Sequence, residues 1–287
     1  MSKTLEEIRE KIDSLDHQIH DLFLERVELV SSVLAAKKEA GEQIVQPARE
    51  AQLMRRLLAR HRGELPFETL MRIWRELVSS VAQIQTEFNV VVSKSSEKIG
   101  LWDMARHYFG CSTVMRQATL PQNAVAQVIT DEASFAVVPW PELDEESPWW
   151  SLLFTSVSDQ QVSVVVALPY EGHESEGNVF ERACVVSKIS FMPSGDDISF
   201  IGLNVVGDIS RAKVVDLATD AGFEVLNLYR GALPQKPDEA LFMLEVKGYI
   251  ETSSDLILSI KDTLGEHCLY CAVMGGYPVI PDYSALN

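Results

Sequence analysis

An apolar stripe near the start of the chain constrains its fold most. Leucine, isoleucine and valine recur every three or four positions, as they do on one face of an α-helix. The members of this stripe are Leu5, Ile8, Ile12, Leu15, Ile19, Leu22, Leu29 and Val33. The pattern continues to Gly41 and predicts one helix about 55 Å long, at ~1.5 Å per residue.

Two shorter helices are predicted after the long one, from Pro47 to Arg62 and from Pro66 onward, with Leu70, Trp74, Leu77, Val81 and Ile84 as the apolar face of the third. Neither is long enough to cover the stripe along its length. We therefore predict that a second copy of the chain covers it, in an intertwined homodimer.

Polar residues interrupt these apolar faces on all three helices: Arg26, Lys37, Arg49, Glu50 and Gln85, with Arg9 at the edge of the stripe. A charge facing a helical core is unfavourable unless it is paired or bound to a ligand. One interpretation is a buried ion network of Arg26, Arg49 and Glu50, or side chains that reach out to solvent at helix ends. The excess of inward cations favours the other interpretation, an enclosed small dicarboxylate.

The same residues carry a family resemblance. The region from Leu5 to Phe88 resembles the all-helical chorismate mutases, above all the mutase domains of bifunctional mutase–dehydratase proteins. The matching segments are Ile8-Arg9-Glu10-Lys11-Ile12-Asp13-Ser14-Leu15-Asp16, Glu25-Arg26-Val27-Glu28-Leu29, Ala36-Lys37 and Ala48-Arg49-Glu50. The resemblance implies an all-α, three-helix, intertwined dimeric domain over residues 1–88 that isomerises chorismate to prephenate.

The resemblance also implies catalytic roles for three residues. Arg26 would hold a substrate carboxylate within its own subunit, and Lys37 and Gln85 would donate to the ether oxygen of the breaking bond. The reaction is a concerted [3,3] rearrangement, which needs orientation of the enolpyruvyl arm and stabilisation of charge on that oxygen. No nucleophile, metal or cofactor is expected.

The substrate-binding set implied by the resemblance is larger. Arg9 would reach a carboxylate from the partner subunit, Glu50 would accept a hydrogen bond from the ring hydroxyl, and Arg49 would order that side of the pocket. Two positions depart from the family: Gln46 stands where Asp is frequent, and Val81 stands where some members have a carboxylate-binding Ser.

The middle region, residues 89–193, is predicted to be α/β, with short apolar strands such as Phe135–Pro139. It resembles part of a prephenate dehydratase through Ala105-Arg106-His107-Tyr108-Phe109-Gly110 and Ala136-Val137-Val138-Pro139. The family's chemistry-bearing motifs are replaced by Ser93-Lys94-Ser95-Ser96-Glu97, Pro139-Trp140-Pro141-Glu142 and Glu181-Arg182-Ala183, without the catalytic threonine. We therefore predict a degenerate region without dehydratase activity. The pair Trp149-Trp150 is predicted to be a packing cluster.

Residues 194–287 show the order strand, helix, strand, strand, helix, strand between Ile198 and Met274. This α+β pattern resembles an ACT regulatory domain. The family's two phenylalanine-binding motifs are replaced by Asp208-Ile209-Ser210-Arg211 and Tyr229-Arg230-Gly231-Ala232, which argues against phenylalanine sensing. The segment Gly207-Asp208 is predicted to be a plain turn, with a cradle for a small ligand as the alternative.

Charge and cysteine content limit the partners and the compartment. The net charge is −17, and it falls mainly on residues 89–287, where 12 basic residues face 27 acidic ones. This balance argues against nucleic-acid and anionic-membrane binding. The four cysteines show no disulfide framework, there is no apolar run of membrane-spanning length, and the first residues lack a signal-peptide core. A cytoplasmic protein is expected.

The sequence therefore predicts a homodimeric chorismate mutase of aromatic amino-acid biosynthesis, with a degenerate dehydratase-like region and an ACT-like domain. Two alternatives remain at this stage. One is a working bifunctional mutase–dehydratase. The other is a non-catalytic regulator or assembly partner whose C-terminal domains bind an amino acid or another pathway enzyme.

Overall fold

The structure is a computed structural model that describes residues 4–40, 42–94, 100–154, 161–170, 182–207 and 209–280. By its internal contacts the chain divides into two compact units. The first comprises Met1–Val45 and Ser80–Glu87, and the second comprises Gln46–Ser79 and Phe88–Asn287.

Three helices form the N-terminal region, as predicted: α1 Leu5–Ala40, α2 Pro47–Arg60 and α3 Phe67–Gln85. A capping box begins α1, in which Thr4 Oγ1 accepts from the Glu7 amide and the Glu7 carboxylate accepts from the Thr4 amide at 2.8 Å. Pro47 occupies the first turn of α2, where its missing N–H has no helical partner to lose.

The apolar stripe of α1 lies on the surface of the chain. Its eight members are between 43% and 63% exposed. The fully buried residues of α3 within the single chain are Phe67, Met71, Arg75 and Ser79, which lie on a different face from the predicted apolar one. The predicted face from Leu70 to Ile84 is partly exposed, and Ile84 is 65% exposed. Arg75 and Ser79 are buried through hydrogen bonds, so apolarity alone does not identify this face.

A ten-stranded sheet organises the second unit, in the order β2-β1-β3-β6-β5-β10-β7-β9-β8-β4. The strands are β1 Val90–Ser93, β2 Met115–Ala118, β3 Phe135–Pro139, β4 Asp144–Glu146, β5 Ser163–Leu168, β6 Ala183–Ser187, β7 Asp197–Val206, β8 Val225–Ala232, β9 Glu239–Lys247 and β10 Cys268–Pro278.

The first half of the sheet has the α/β architecture that was predicted for the middle region of the chain. Strand β1 pairs in parallel with β2 and β3, and the crossovers are α4 Leu101–Phe109 and α5 Pro121–Ile129. Strands β1, β5 and β6 are buried along nearly their whole length, as their continuous apolar runs indicate. Trp149 and Trp150, in a 3-10 helix at Trp149–Phe154, lie in a core cluster shared by both halves of the sheet, so the predicted packing role is confirmed.

The second half of the sheet has the predicted βαββαβ order, with α6 Arg211–Asp220 and α7 Asp255–Leu264 as its helices. Its strands run antiparallel in the order β10-β7-β9-β8, which is the arrangement of ferredoxin-like domains. Strand β10 also meets β5 at Gly275, opposite Val164. Only glycine fits there, because φ is +97° and a Cβ would lie 2.1 Å from the Val164 carbonyl oxygen.

The predicted domain boundaries after residues 88 and 193 stay a prediction. The compact units follow a different division, since residues 46–79 of the helical region group with the α/β region. Several predicted features lie outside the described residues: Gly41, Ser95, Ser96, Glu97, Glu181 and Asp208. Within the described part of the chain, no helix combines the length and apolarity that crossing a membrane requires.

Candidate functional site

Lys37 and Arg26 lie on the same face of α1, because eleven residues turn a helix through about three full turns. Both side chains are half-buried. The Lys37 ammonium donates a hydrogen bond to the Ile44 carbonyl oxygen at 2.8 Å, which folds the segment after α1 back onto the helix. Burial lowers the pKa of the Arg26 guanidinium. A partly desolvated guanidinium binds a carboxylate more strongly than one in bulk water.

Arg9 lies far from these two cations on the same helix. Seventeen residues separate it from Arg26, which corresponds to about 25 Å along the axis. Its side chain is exposed. A single copy of α1 therefore cannot bring Arg9 and Arg26 to the same small molecule.

The Glu50 side chain is only 11% exposed. Its carboxylate forms an ion pair with Arg75, in which Arg75 Nη1 donates to Glu50 Oε2 at 2.6 Å. The Tyr108 hydroxyl donates to the same oxygen at 3.3 Å. Burial is the largest single effect and lowers the pKa of Arg75, but Glu50, Tyr108 and Tyr170 together outweigh it, so the pKa is raised above its usual value.

Arg75 is a residue that sequence reasoning missed. It follows Met71 by four positions on the buried face of α3, so it shows the same polar interruption that identified Arg26 on α1. One interpretation of the sequence was an ion network among Arg26, Arg49 and Glu50. The contacts of Glu50 differ from this interpretation. Its partner is Arg75, and the Arg49 side chain is exposed.

The remaining predicted residues are half-buried. Gln46 precedes α2, and its carbonyl oxygen accepts from the Glu50 amide at 3.1 Å. Val81 and Gln85 lie on the last two turns of α3. Arg9, Arg26, Lys37, Val81 and Gln85 belong to the first compact unit, whereas Gln46, Arg49 and Glu50 belong to the second. Their convergence on one ligand stays a prediction.

A second charged cluster lies in the α/β region, around Glu245 on β9. This carboxylate is 2% exposed. Its Oε2 accepts from Asn227 Nδ2 and from the Tyr229 hydroxyl, both at 2.8 Å, and its Oε1 accepts from the Tyr277 hydroxyl at 2.5 Å. Burial is the first cause that raises the pKa of Tyr229 and of Tyr277, and the negative charge of Glu245 is the second. Both hydroxyls therefore stay protonated as donors.

Arg182 completes the Glu245 cluster. Its guanidinium carbon lies 3.5 Å from the centre of the Trp140 ring, its Nη2 donates to the Tyr277 hydroxyl at 3.2 Å, and the same nitrogen lies 3.9 Å from Glu245 Oε1. Trp140 and Arg182 both belong to segments that were predicted to replace motifs of the dehydratase family. The stacking places a bulky indole against the arginine.

Nothing in the described part of the chain resembles a metal centre, since no group of three or more His, Cys, Asp or Glu side chains is placed to hold a metal ion.

Comparison with known proteins finds a family match within the helical region. Residues 8–86 match the model of the chorismate mutase type II family. A bifunctional chorismate mutase/prephenate dehydratase of Aquifex aeolicus (strain VF5) is 25% identical over 179 residues, which cover 59% of this chain and 48% of that protein. The chain thus spans about half the length of the curated relatives it matches.

Two solved structures align with about two thirds of the chain at low similarity. One, described as GqqA, a novel type of quorum quenching acylases, has a TM-score of 0.49 at 15% identity, covering 69% of this chain and 99% of that one. The other, a prephenate dehydratase from Streptococcus mutans, has a TM-score of 0.44 at 14% identity, covering 68% and 100%.

Proposed function

We propose that the protein is a chorismate mutase that converts chorismate to prephenate in the biosynthesis of phenylalanine and tyrosine. The observation that carries this proposal is the match of residues 8–86 to the chorismate mutase type II family. The matched segment contains every residue of the predicted site: Arg9, Arg26, Lys37, Gln46, Arg49, Glu50, Val81 and Gln85.

The residue types suit the reaction. As the C–O bond of the ether stretches, negative charge grows on its oxygen, and the Lys37 ammonium and the Gln85 amide are donors for that charge. Arg26 binds a carboxylate of the substrate and so restricts the enolpyruvyl arm to a reactive conformation. Glu50 accepts a hydrogen bond from the ring hydroxyl, and Arg49 orders the neighbouring part of the pocket. The protein supplies all of this without a cofactor.

The proposal includes a homodimer, in which Arg9 of one subunit reaches the substrate bound by the other. Two observations support this arrangement. Arg9 lies about 25 Å along the helix from Arg26, too far for one copy of α1 to use both. The apolar stripe of α1 is also exposed along the helix, and exposed apolar surface of this extent is typical of an interface.

We propose that the α/β region has no dehydratase activity. The Arg182 guanidinium is stacked on Trp140 and bonded to Tyr277, so it is held by the protein's own side chains. Residue 183, where the dehydratase motif has an aromatic residue, is a buried alanine. An arginine that is already stacked on a ring and hydrogen-bonded to a tyrosine has less capacity to bind an anionic substrate.

The C-terminal βαββαβ half is proposed to be an ACT-like domain over residues 194–287, with an amino acid or a pathway enzyme as the partner it would bind. Its ferredoxin-like strand order supports this proposal. Residence in the cytoplasm is proposed as well, because Cys111, Cys184, Cys268 and Cys271 are all free thiols, as is usual in a reducing compartment.

One assay with two readouts tests these proposals. The full chain is incubated with chorismate, and the loss of chorismate and the formation of phenylpyruvate are followed together. We expect chorismate to be consumed while prephenate accumulates. Phenylpyruvate above the uncatalysed rate would show that the α/β region is an active dehydratase. Unchanged chorismate would refute the mutase assignment and favour a regulatory or assembly role.

A further inference from the structure

Glu50 belongs to the matched mutase segment, yet a residue outside that segment contacts its carboxylate. Tyr108 lies on α4, in the α/β region, and its hydroxyl donates to Glu50 Oε2 at 3.3 Å. Arg75, from α3, donates to the same oxygen at 2.6 Å. All three residues belong to the second compact unit.

Arg75 is itself fixed by the α/β region. Its Nε and Nη2 both donate to the Tyr108 carbonyl oxygen, at 3.2 and 2.6 Å, and its guanidinium carbon lies 4.0 Å from the centre of the Tyr108 ring. The Tyr108 carbonyl is one of the last in α4, where helix carbonyls lack helical partners and favour a cation. Tyr108 therefore holds Glu50 twice, directly through its hydroxyl and indirectly through Arg75.

The neighbouring contacts make this attachment rigid. Ser79, one turn beyond Arg75, donates to the Phe109 carbonyl oxygen, and the Glu76 carboxylate accepts from the Cys111 amide at 3.0 Å. Between them lies Gly110, with φ of +85°, where a Cβ would come within 3.0 Å of Glu76 and Ser79. The end of α4 thus lies directly against the buried face of α3.

The two oxygens of Glu50 are used unequally. Both hydrogen bonds fall on Oε2, and within the described part of the chain Oε1 has no protein donor. An ionised carboxylate accepts hydrogen bonds on both oxygens, so Oε1 retains its capacity for a donor from a ligand. Burial raises the pKa of Tyr108 well above its usual value, so its hydroxyl keeps its proton and remains a donor.

We infer that Tyr108 is a positioning residue for the mutase reaction, because it and Arg75 hold Oε2 of Glu50 so that Oε1 faces the ring hydroxyl of the substrate. This inference rests on the proposed mutase function. It means that the α/β region contributes to the mutase site through Glu50, whether or not it has a reaction of its own.

Tyr170 provides a matched control for Tyr108. Its ring also lies near Arg75, with the guanidinium carbon 5.0 Å from the ring centre, and it is 7% exposed. Unlike Tyr108, its hydroxyl has no hydrogen-bond partner among the described residues. Replacing each tyrosine by phenylalanine therefore removes one buried hydroxyl in the same surroundings, and only one of the two hydroxyls contacts Glu50.

The experiment measures kcat and KM for chorismate in the full chain and in Tyr108→Phe, Tyr170→Phe, Glu50→Gln and the double variant Glu50→Gln with Tyr108→Phe. We expect Tyr108→Phe to lower kcat/KM about fivefold, as for the loss of one weak hydrogen bond to a charged group, and Tyr170→Phe to change it less than about twofold. In the Glu50→Gln background, Tyr108→Phe should have no further effect, because the two residues act through one contact.

Three outcomes overturn the inference while leaving the mutase function intact: normal kinetics in Tyr108→Phe, equal losses in both tyrosine variants, or losses at Glu50 and Tyr108 that multiply in the double variant. Thermal unfolding of each variant separates positioning from stability, since a structural role would lower the melting temperature and would not depend on Glu50. Absence of turnover in the wild-type chain would instead refute the proposed function itself.

Discussion

The helical region and the α/β region differ in how fully their buried carboxylates are hydrogen-bonded. Glu245 of the α/β region uses both oxygens, with Asn227 and Tyr229 on one and Tyr277 on the other. Glu50 of the helical region uses only Oε2 among the described contacts. One carboxylate is fully bonded within a single chain, and the other has capacity left for a ligand.

The two regions also differ in how far their apolar surface is buried. Strands β1, β5 and β6 of the α/β region are buried on both faces, whereas the stripe of α1 is exposed along the helix. Within a single chain, these three strands are covered and the stripe of α1 is not. Buried groups that are fully paired are expected to serve stability, and groups that are left incomplete are expected to serve binding.

The largest expected effect is on assembly. The double substitution Leu15→Glu with Ile19→Glu puts two carboxylates per chain into the proposed interface, and each unpaired buried charge is unfavourable by about 3 kcal/mol or more. We expect light scattering to show a dimer for the wild type and a monomer for the variant, with mutase activity lost because Arg9 no longer reaches its site.

Leu24→Glu is the control for assembly, because Leu24 is 53% exposed on the opposite side of α1. It should remain dimeric. A wild-type chain that is monomeric, or a variant that is monomeric yet fully active, would show that the helical region is complete in one copy.

The next effect is on stability alone. Glu245→Ala leaves two tyrosine hydroxyls and the Asn227 amide without their acceptor, which is expected to destabilise the fold by about 3 kcal/mol. Urea unfolding measures the loss, and mutase activity per folded molecule should be unchanged. Glu224→Ala is the control, since Glu224 is 64% exposed in its pair with Lys247 and should lose less than about 1 kcal/mol. A stable Glu245→Ala protein that has lost mutase activity would show instead that Glu245 serves the reaction rather than stability.

The third effect is on rate alone. Lys37→Ala removes a donor to the charge that develops on the ether oxygen, so kcat should fall about a hundredfold or more. The folded dimer should persist, as seen by circular dichroism and light scattering. Lys213→Ala, at an exposed position on α6, should have normal kinetics. Turnover close to normal in Lys37→Ala would remove this residue from the site.

The sequence predicted the helices and strands well because their periodicity records which faces are buried. The bounds of α1 and α2 and the βαββαβ order agree with the structure within a few residues. Apolar patterning was less informative on α3, because its buried face contains Arg75 and Ser79, whose burial depends on carbonyl oxygens of α4. A contact between segments that are distant in the chain leaves no periodic signal in either one.

The candidate site shows the same limit. Glu50 was found because it interrupts an apolar face, but its partners Arg75 and Tyr108 lie 25 and 58 residues further along the chain. The Glu245 cluster was missed altogether, since its members come from separate strands and each looks ordinary in its own segment. Sequence reasoning located charges that face inward, and the structure was needed to show which of them are already satisfied.

The smallest effect is on pH dependence, and it compares the two clusters through their tyrosines. The pKa of Tyr277 is raised above its ordinary value of 10.0, first by burial and then by Glu245. The folded protein therefore keeps the phenol neutral while the unfolded chain ionises, so this contribution to stability is complete below pH 10 and is lost as the pH rises further. At pH 10.5 the loss is about 1 kcal/mol for each such tyrosine. We expect the urea midpoint of the wild type to fall between pH 9 and 10.5 more than that of Tyr277→Phe, since the variant lacks one ionising group.

The same comparison with Tyr108→Phe should give a similar difference, because burial also raises the pKa of Tyr108. Equal slopes in the wild type and in Tyr277→Phe would mean that the Tyr277 phenol ionises as readily in the folded protein as in the unfolded chain, and that the Glu245 cluster is open to solvent.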